Sequence, residues 1–229
     1  MFEREHHQRI AAILERLDVQ VLLKHRCLFG GGTAIALSRG EYRESVDIDF
    51  ICASVDGYRG LRETVDVRHL DWLFAQPVDL VREPRVDQYG IRLAVAVDAV
   101  PVKLEIIFES RVDFTDPLPE DRICGVWAMA VEDLTATKLM ANADRYADDA
   151  VMSRDLIDLS MLAHGHVLSA AGAAKARRAY GKGIDKAFAR GKELLLERDG
   201  RLSRCMKAMR MPPPEAAWRE RLSRLLLEA

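Results

Sequence analysis

The chain is short of the features that mark several specialised protein classes. Its four cysteines, Cys27, Cys52, Cys124 and Cys205, lie far apart and form no CxxC pair. That argues against a zinc site or a disulfide framework and reads as reduced, intracellular thiols. No apolar run is long enough to span a bilayer. The opening MFEREHHQRIAAILERL lacks the apolar core of a signal peptide, so a cytoplasmic protein with no membrane partner is expected. GxxxxGK[ST], GxGxxG after a strand, HExxH, GxSxG and the kinase signatures are also missing. P-loop NTPase chemistry is thereby excluded, and dinucleotide, zinc-peptidase, serine-hydrolase and kinase chemistry lack support.

There is no strong overall charge either. The formal net charge is −2, so the whole molecule does not announce a polyanionic partner. The distribution says more. Residues 165–229 hold 15 Lys+Arg against 7 Asp+Glu, a balance of +8, and residues 1–164 hold 19 against 29, a balance of −10. A basic C-terminal part beside an acidic N-terminal part fits an RNA-contacting protein, and it fits equally the solvated helix faces of any soluble protein. At 229 residues and 49% hydrophobic, the chain can build a real core in one medium domain or two small ones.

The most informative stretch is LFGGGTAIALSRGEYRESVDIDF, residues 28–50. A short strand (Leu28, Phe29) runs into Gly30-Gly31-Gly32. Thr33 stands where it can N-cap a helix over 34–39, and Gly40 suits that helix's C-terminal stop. Glycines let backbone approach a ligand closely, and the N–H groups of a helix N-terminus attract phosphate. The Thr33 hydroxyl, Arg43 and Ser45 are further candidate phosphate partners. The strand over 46–52 then alternates, with Val46, Ile48, Phe50 and Cys52 on a core face and Asp47 and Asp49 on the other. Two neighbouring carboxylates repel unless a cation lies between them, and oxygen-only ligands suit Mg²⁺ or Mn²⁺. Two such ions can activate an attacking hydroxyl and neutralise a leaving pyrophosphate. Taken singly, a Gly-Gly turn is usually only a turn and a strand's acidic face is usually solvated. In this order and spacing, they read as a nucleotidyl-transfer site.

Elsewhere the expectations are coarser. Residues 3–17 carry an amphipathic helical pattern with Ile10, Ile13, Leu14 and Leu17 on its apolar face, and His6 and His7 read as surface residues. A helix is expected over 56–75 and a short strand over 78–82. Residues 89–98 and 102–109 alternate as an antiparallel hairpin turning at 99–101, with Lys103 and Glu105 on the face away from the core. Glu105 joins the aspartates if this hairpin pairs beside their strand; otherwise Lys103 and Glu105 form an ordinary solvent face. Residues 110–130 read as loop. From 131 onward the pattern is helical, with Lys138, Asn142 and Arg145 on one helix face and Asp155 and Asp158 sharing another. Gly181, Gly183, Gly191 and Gly200 suggest helix breaks, and Pro212-Pro213-Pro214 a stiff joint before a last helix burying Trp218, Leu222, Leu225 and Leu226. The expected organisation is a core over 1–130 and a helical lobe over 131–229.

GG[T/S], a short helix and an acidic pair on the next strand resemble the DNA polymerase beta-like nucleotidyltransferase superfamily. The fuller string GGTAIAL…R.S.DIDF resembles the AbiEii-type nucleotidyltransferases, toxins of type IV toxin–antitoxin systems. VKLEIIF (102–108) is similar to the family's strand with a third acidic position, here Glu105; LTATKLMA (134–141) to its lysine-bearing helix, here Lys138; and RDLIDLSML (154–162) to its RDxxD helix, here Asp155 and Asp158. The resemblance covers residues 25–165. It implies an α/β (α+β) core with a mixed sheet flanked by helices, plus a helical C-terminal lobe. It also implies transfer of a nucleoside monophosphate from an NTP, with a tRNA 3′ end as one possible acceptor and a cognate antitoxin as partner. The residues it points to are Asp47, Asp49 and Glu105 on two Mg²⁺ or Mn²⁺ ions. Gly31, Gly32, Thr33, Arg43, Ser45, Lys138 and Asp155 would serve the nucleotide, with Lys138 also catalytic. One departure stands out: Gly30 occupies the place where family members often carry lysine, so the triphosphate is expected to be gripped less tightly or in a different way. Two alternatives stay open, a phosphotransferase or a protein- or small-molecule nucleotidyltransferase on the same core, and a non-catalytic nucleotide- or partner-binding module.

Overall fold

The apolar stripe of the N-terminal stretch forms one helix, and a second follows beyond it. In the computed structural model, which describes residues 2–228, α1 (Glu5–Leu14) buries His7, Ile10, Ile13 and Leu14. The helix expected to reach residue 17 thus stops short. α2 (Val19–Lys24) then starts on Asp18, whose carboxylate accepts the N–H groups of Gln20 and Val21 at 2.9 and 3.1 Å, an N-cap that satisfies two otherwise orphaned donors. His7 is fully buried rather than at the surface. It sits three residues before Ile10 and seven before Leu14, so helical spacing puts it on the core stripe.

The chain then runs through β1 (Cys27–Gly30) into α3 (Gly31–Ser38). α3 begins three residues earlier than expected, with Gly30 as N-cap, so Thr33 lies inside the first turn. Its end is as anticipated: Gly40 has φ +73° and the Glu41 N–H reaches the Ala36 carbonyl at 2.8 Å, the six-to-one bond of a Schellman stop. β2 (Ile48–Cys52) buries Ile48, Phe50 and Cys52 completely. Val46 is 50% exposed, contrary to the expected core face, because it precedes the strand and the alternation does not extend back to it. α4 (Val55–Thr64) is capped by Ser54, whose hydroxyl accepts the Gly57 N–H at 2.9 Å. It ends eleven residues before the limit expected for it.

β3 (Asp79–Val86), β4 (Gly90–Val97) and β5 (Val100–Phe108) complete the sheet. β3 outruns the short strand expected at 78–82. The β4–β5 hairpin turns on Asp98 and Ala99, both with positive φ (55° and 60°), the two-residue geometry that matches strand twist. Pro101 therefore lies in β5 rather than in the turn. β6 (Arg122–Ile123) and β7 (Val126–Trp127) form a small hairpin inside the stretch read as loop. The main sheet runs β1-β2-β5-β4-β3. β2 and β5 are parallel and the other pairs antiparallel, so the sheet is mixed. Its inner face, with Phe29, Ile48, Phe50, Leu93, Leu104 and Ile106, packs against Ile10, Ile13, Leu14, Leu22 and Leu61 of the helices in one core.

The chain divides into two compact units, residues 1–41 with 45–130, and residues 42–44 with 131–229. The second unit is helical: α5 (Val131–Arg145), α6 (Arg154–Leu162), α7 (Ala170–Tyr180), α8 (Gly183–Glu197), α9 (Arg201–Ala208) and α10 (Glu215–Arg224). Gly181 and Gly200 flank helix ends, but Gly191 lies within α8. A Cβ there would come within 3.0 Å of Asn142 Oδ1 and Leu156 Cδ1, so it marks a close helix crossing, not a break. Trp218, Leu222 and Leu225 are buried while Leu226 is 54% exposed, because α10 ends at Arg224 and its period ends with it. Among the described residues no helix is long and apolar enough to cross a membrane.

Candidate active site

β1 delivers the glycines directly beside the acidic strand. In the antiparallel pairing Gly30 faces Asp49, and Gly31 then bends away with φ +67°. A Cβ on Gly31 would lie 2.3 Å from Asp49 Oδ2 and 2.8 Å from Asp49 Cβ. The Asp49 side chain therefore lies against the Gly31 backbone, where only glycine leaves room. This is also the N-terminus of α3, whose dipole favours a negative charge. Asp47 and Asp49 are half-buried, in alternation with the fully buried Ile48 and Phe50, which puts both carboxylates on the open side of the chain. Asp47 itself precedes β2 rather than lying on it.

Asp47 is fastened through its backbone. The Thr33 hydroxyl donates to the Asp47 carbonyl and is within 2.8 Å of Ser45 Oγ. A carbonyl only accepts, so Ser45 donates to Thr33 and both hydroxyl protons are used. Thr33 is 1% exposed and Ser45 9%; rather than reaching outward, the pair clasps Asp47 to the first turn of α3. The Ser45 N–H donates to His7 Nε2 at 3.0 Å, and His7 Nδ1 lies 2.8 Å from Glu41 Oε1. Nε2 must accept, so the imidazole is neutral and donates from Nδ1. Burial lowers the His7 pKa, against the opposing pull of Glu41. Sequence reasoning missed this buttress, although the His7–Ile10–Leu14 spacing held the signal.

Glu105 does pair beside the aspartates: it is the direct neighbour of Asp49 in the parallel β2–β5 register. Its carboxylate is occupied by Arg92 at 3.1 Å and Lys103 at 2.8 Å. Among the described residues no three His, Cys, Asp or Glu side chains are gathered closely enough to hold an ion by themselves. The donor chemistry nevertheless suits Mg²⁺, which usually takes one or two carboxylates and fills its shell from water and substrate phosphates. Asp47 and Asp49 are the two carboxylates here that could supply such a pair.

The other expected site residues lie in the second unit. Lys138 on α5 contacts Asp155 at 3.0 Å and Asp158 at 2.7 Å on α6, and Arg145 contacts Asp155 at 2.8 Å. Arg43 grips Asp158 with two bonds of 2.6 and 3.0 Å, and the Tyr42 hydroxyl donates to the same carboxylate at 2.6 Å. Burial alone would raise the pKa of both aspartates. The Lys138 ammonium with Arg145 outweighs it at Asp155, and Arg43 with Lys138 outweighs it at Asp158, so both stay below the usual carboxylate range. Burial likewise disfavours the Arg43 charge, but Asp158 overrides it and raises that pKa. Three cations against two carboxylates leave one positive charge in excess.

Comparison with known proteins gives the fold and the family. JHP933 from Helicobacter pylori matches with a TM-score of 0.52 at 15% identity, covering 97% of this chain and 90% of that one; at that identity the likeness speaks for the fold alone. A second H. pylori protein, assigned as a candidate nucleotidyltransferase, matches with a TM-score of 0.49 at 16% identity over 94% of this chain and 89% of that one. No curated protein matches. The family model of the nucleotidyl transferase AbiEii toxins of type IV toxin–antitoxin systems matches residues 12–229, and the chain belongs to that family.

Proposed function

We propose that this chain moves a nucleoside monophosphate from an NTP to an acceptor hydroxyl on RNA, with a tRNA 3′ end as the leading candidate, in a reaction dependent on divalent metal. The observation that carries the reading is the Asp49 carboxylate lying against the Gly31 backbone at the N-terminus of α3. It sets a metal-type ligand beside a phosphate-type turn. The triphosphate would rest on the Gly31–Gly32 bend, with Asp47 and Asp49 holding Mg²⁺ or Mn²⁺. A cation bound there would neutralise charge on the leaving pyrophosphate and ease loss of the acceptor's proton. Thr33 and Ser45 keep Asp47 in place. Gly30, in the position of the family lysine, adds no charge, so substrate is held by backbone and carboxylate geometry.

In the reaction the acceptor oxygen attacks the α-phosphorus in line. The bond from that phosphorus to the α–β bridging oxygen breaks, and pyrophosphate departs with the electron pair. Glu105, turning from its ion pairs, takes the hydroxyl proton or serves as a third metal ligand. The basic balance of residues 165–229 supports a polyanionic acceptor. Membership of a type IV toxin–antitoxin family implies an NTP substrate and an antitoxin partner, and NTP and RNA together point to action in the cytoplasm.

The test is incubation with total RNA, Mg²⁺ and each NTP labelled at the α or the γ phosphate. The expected result is α label in RNA and γ label in pyrophosphate. γ label on an acceptor would mean a phosphotransferase, α label in protein or small molecules would mean another acceptor class, and transfer of neither label, with no pyrophosphate, would mean a binding module.

A further inference from the structure

Asp49 begins a row of side chains that crosses the open face of the sheet. Its neighbour on β5 is Glu105, the neighbour of Glu105 on β4 is Arg92, and the neighbour of Arg92 on β3 is Arg85. Directly paired residues share a face, and this is the face away from the core, because Ile91, Leu93, Leu104 and Ile106 on the same strands are buried. The adjacent row reads Lys103, Ala94, Arg82. Arg82, Arg85 and Lys103 are exposed. Ala94 between them is too short to rise, so four cations rim a shallow floor.

This clustering runs against the surroundings. The first unit holds 15 Lys+Arg against 21 Asp+Glu, yet the β3 side of its open sheet face carries two exposed arginines, Arg82 and Arg85. Arg85 stands directly opposite Arg92, an arrangement that destabilises a bare sheet. Glu105 offsets Arg92 and Lys103, and Asp87 also pairs with Arg92 at 3.0 Å, whereas Arg82 and Arg85, among the described residues, have no acidic partner. Like charges held together on an edge strand are explained by an anionic ligand. Because the row ends at Asp49, the ligand that fits best brings its reacting end there.

We propose that Arg82, Arg85, Arg92 and Lys103 form a track for the sugar–phosphate backbone of a single-stranded RNA acceptor whose 3′ hydroxyl lies at Asp49. Three strand spacings separate Asp49 from Arg85, about 14 Å, enough for the last few nucleotides. Phosphate contacts position a strand without reading its bases, so the track sets register and leaves base selection elsewhere. The inference rests on the nucleotidyl-transfer reading above and adds where the acceptor lies.

The test is fluorescence anisotropy with a single-stranded RNA oligonucleotide at several salt concentrations, alongside NMP transfer to the same oligonucleotide. Each single-strand phosphate contact contributes about 0.7 to the slope of log affinity against log salt. R82Q/R85Q should therefore lose about 1.4 from the slope and raise KM for RNA, while kcat and KM for NTP stay at wild-type values. Arg68→Gln, on an exposed loop, should change nothing. Should the double variant fold poorly, Arg85→Gln alone should lose half as much slope. An unchanged slope and KM in a folded variant, with the wild type transferring NMP, would overturn the track and leave the enzyme reading intact. A wild type that binds RNA but never transfers NMP would overturn the enzyme reading, and the slope would still judge the track. Transfer to a protein but not to RNA would overturn it in favour of an acidic protein acceptor.

Discussion

Gly31→Ala separates the geometry of the site from the mere need for a flexible turn. The left-handed backbone at Gly31, φ +67°, costs a non-glycine residue roughly 1–2 kcal/mol. The new Cβ would also stand 2.3 Å from Asp49 Oδ2 and 2.8 Å from Asp49 Cβ. Ordinary contact begins at about 3.5 Å, so the aspartate must retreat by roughly 1 Å, an overpacking worth about 1–3 kcal/mol. Gly40→Ala is the matched control: its φ is +73° and nothing lies within 4 Å of its Cβ. Both variants carry the backbone term; only Gly31→Ala carries the clash. Urea denaturation should place Gly31→Ala about 1–3 kcal/mol below Gly40→Ala. A 1 Å misplacement of a reacting group costs on the order of 100-fold in rate, so NMP transfer should fall by about that factor in Gly31→Ala and stay near wild type in Gly40→Ala. Equal stability of the two variants, with full transfer by Gly31→Ala, would refute the contact between Asp49 and the glycine bend.

Two further outcomes follow from the buried charges. Lys138→Ala leaves Asp155 and Asp158 buried with one cation fewer and should cost about 3–5 kcal/mol in urea denaturation, the usual result of breaking a buried ion pair; a loss below about 1 kcal/mol would show that Lys138 is not a brace. Acid should act in two windows. The His7 pKa is depressed, so its contribution is present above the unfolded value of about 6.5 and is lost as pH falls through the folded value. Asp155 and Asp158 are also depressed, so theirs is present above about 3.9 and is lost as pH falls through their lower folded values. A series of urea midpoints from pH 8 to pH 2 should decline in that order, and a midpoint that rises on acidification would contradict the assignment.

The sequence exposed what depends on local period and local stereochemistry. The alternation of Ile91, Leu93 and Val95, the Gly40 stop and the acidic pair after the glycines each declare themselves within a few residues. What stayed hidden depends on remote partners. Nothing near Glu105 announces that β5 will run parallel to β2 and set it beside Asp49. Thr33 looks like a helix cap until Ser45 and the Asp47 carbonyl claim it. Arg43 looks like a phosphate ligand until Asp158, more than a hundred residues away, takes its guanidinium. β6 and β7, two residues each, are too short to carry a periodic signal.

The central claim is tested most directly by Asp49→Ala, assayed for transfer of α-labelled NMP into RNA at saturating Mg²⁺, with a urea melt of the same preparation. The carboxylate beside Gly31 is predicted to be indispensable: transfer should vanish while the variant stays folded. A folded Asp49→Ala protein that labels RNA at the wild-type rate would contradict the account.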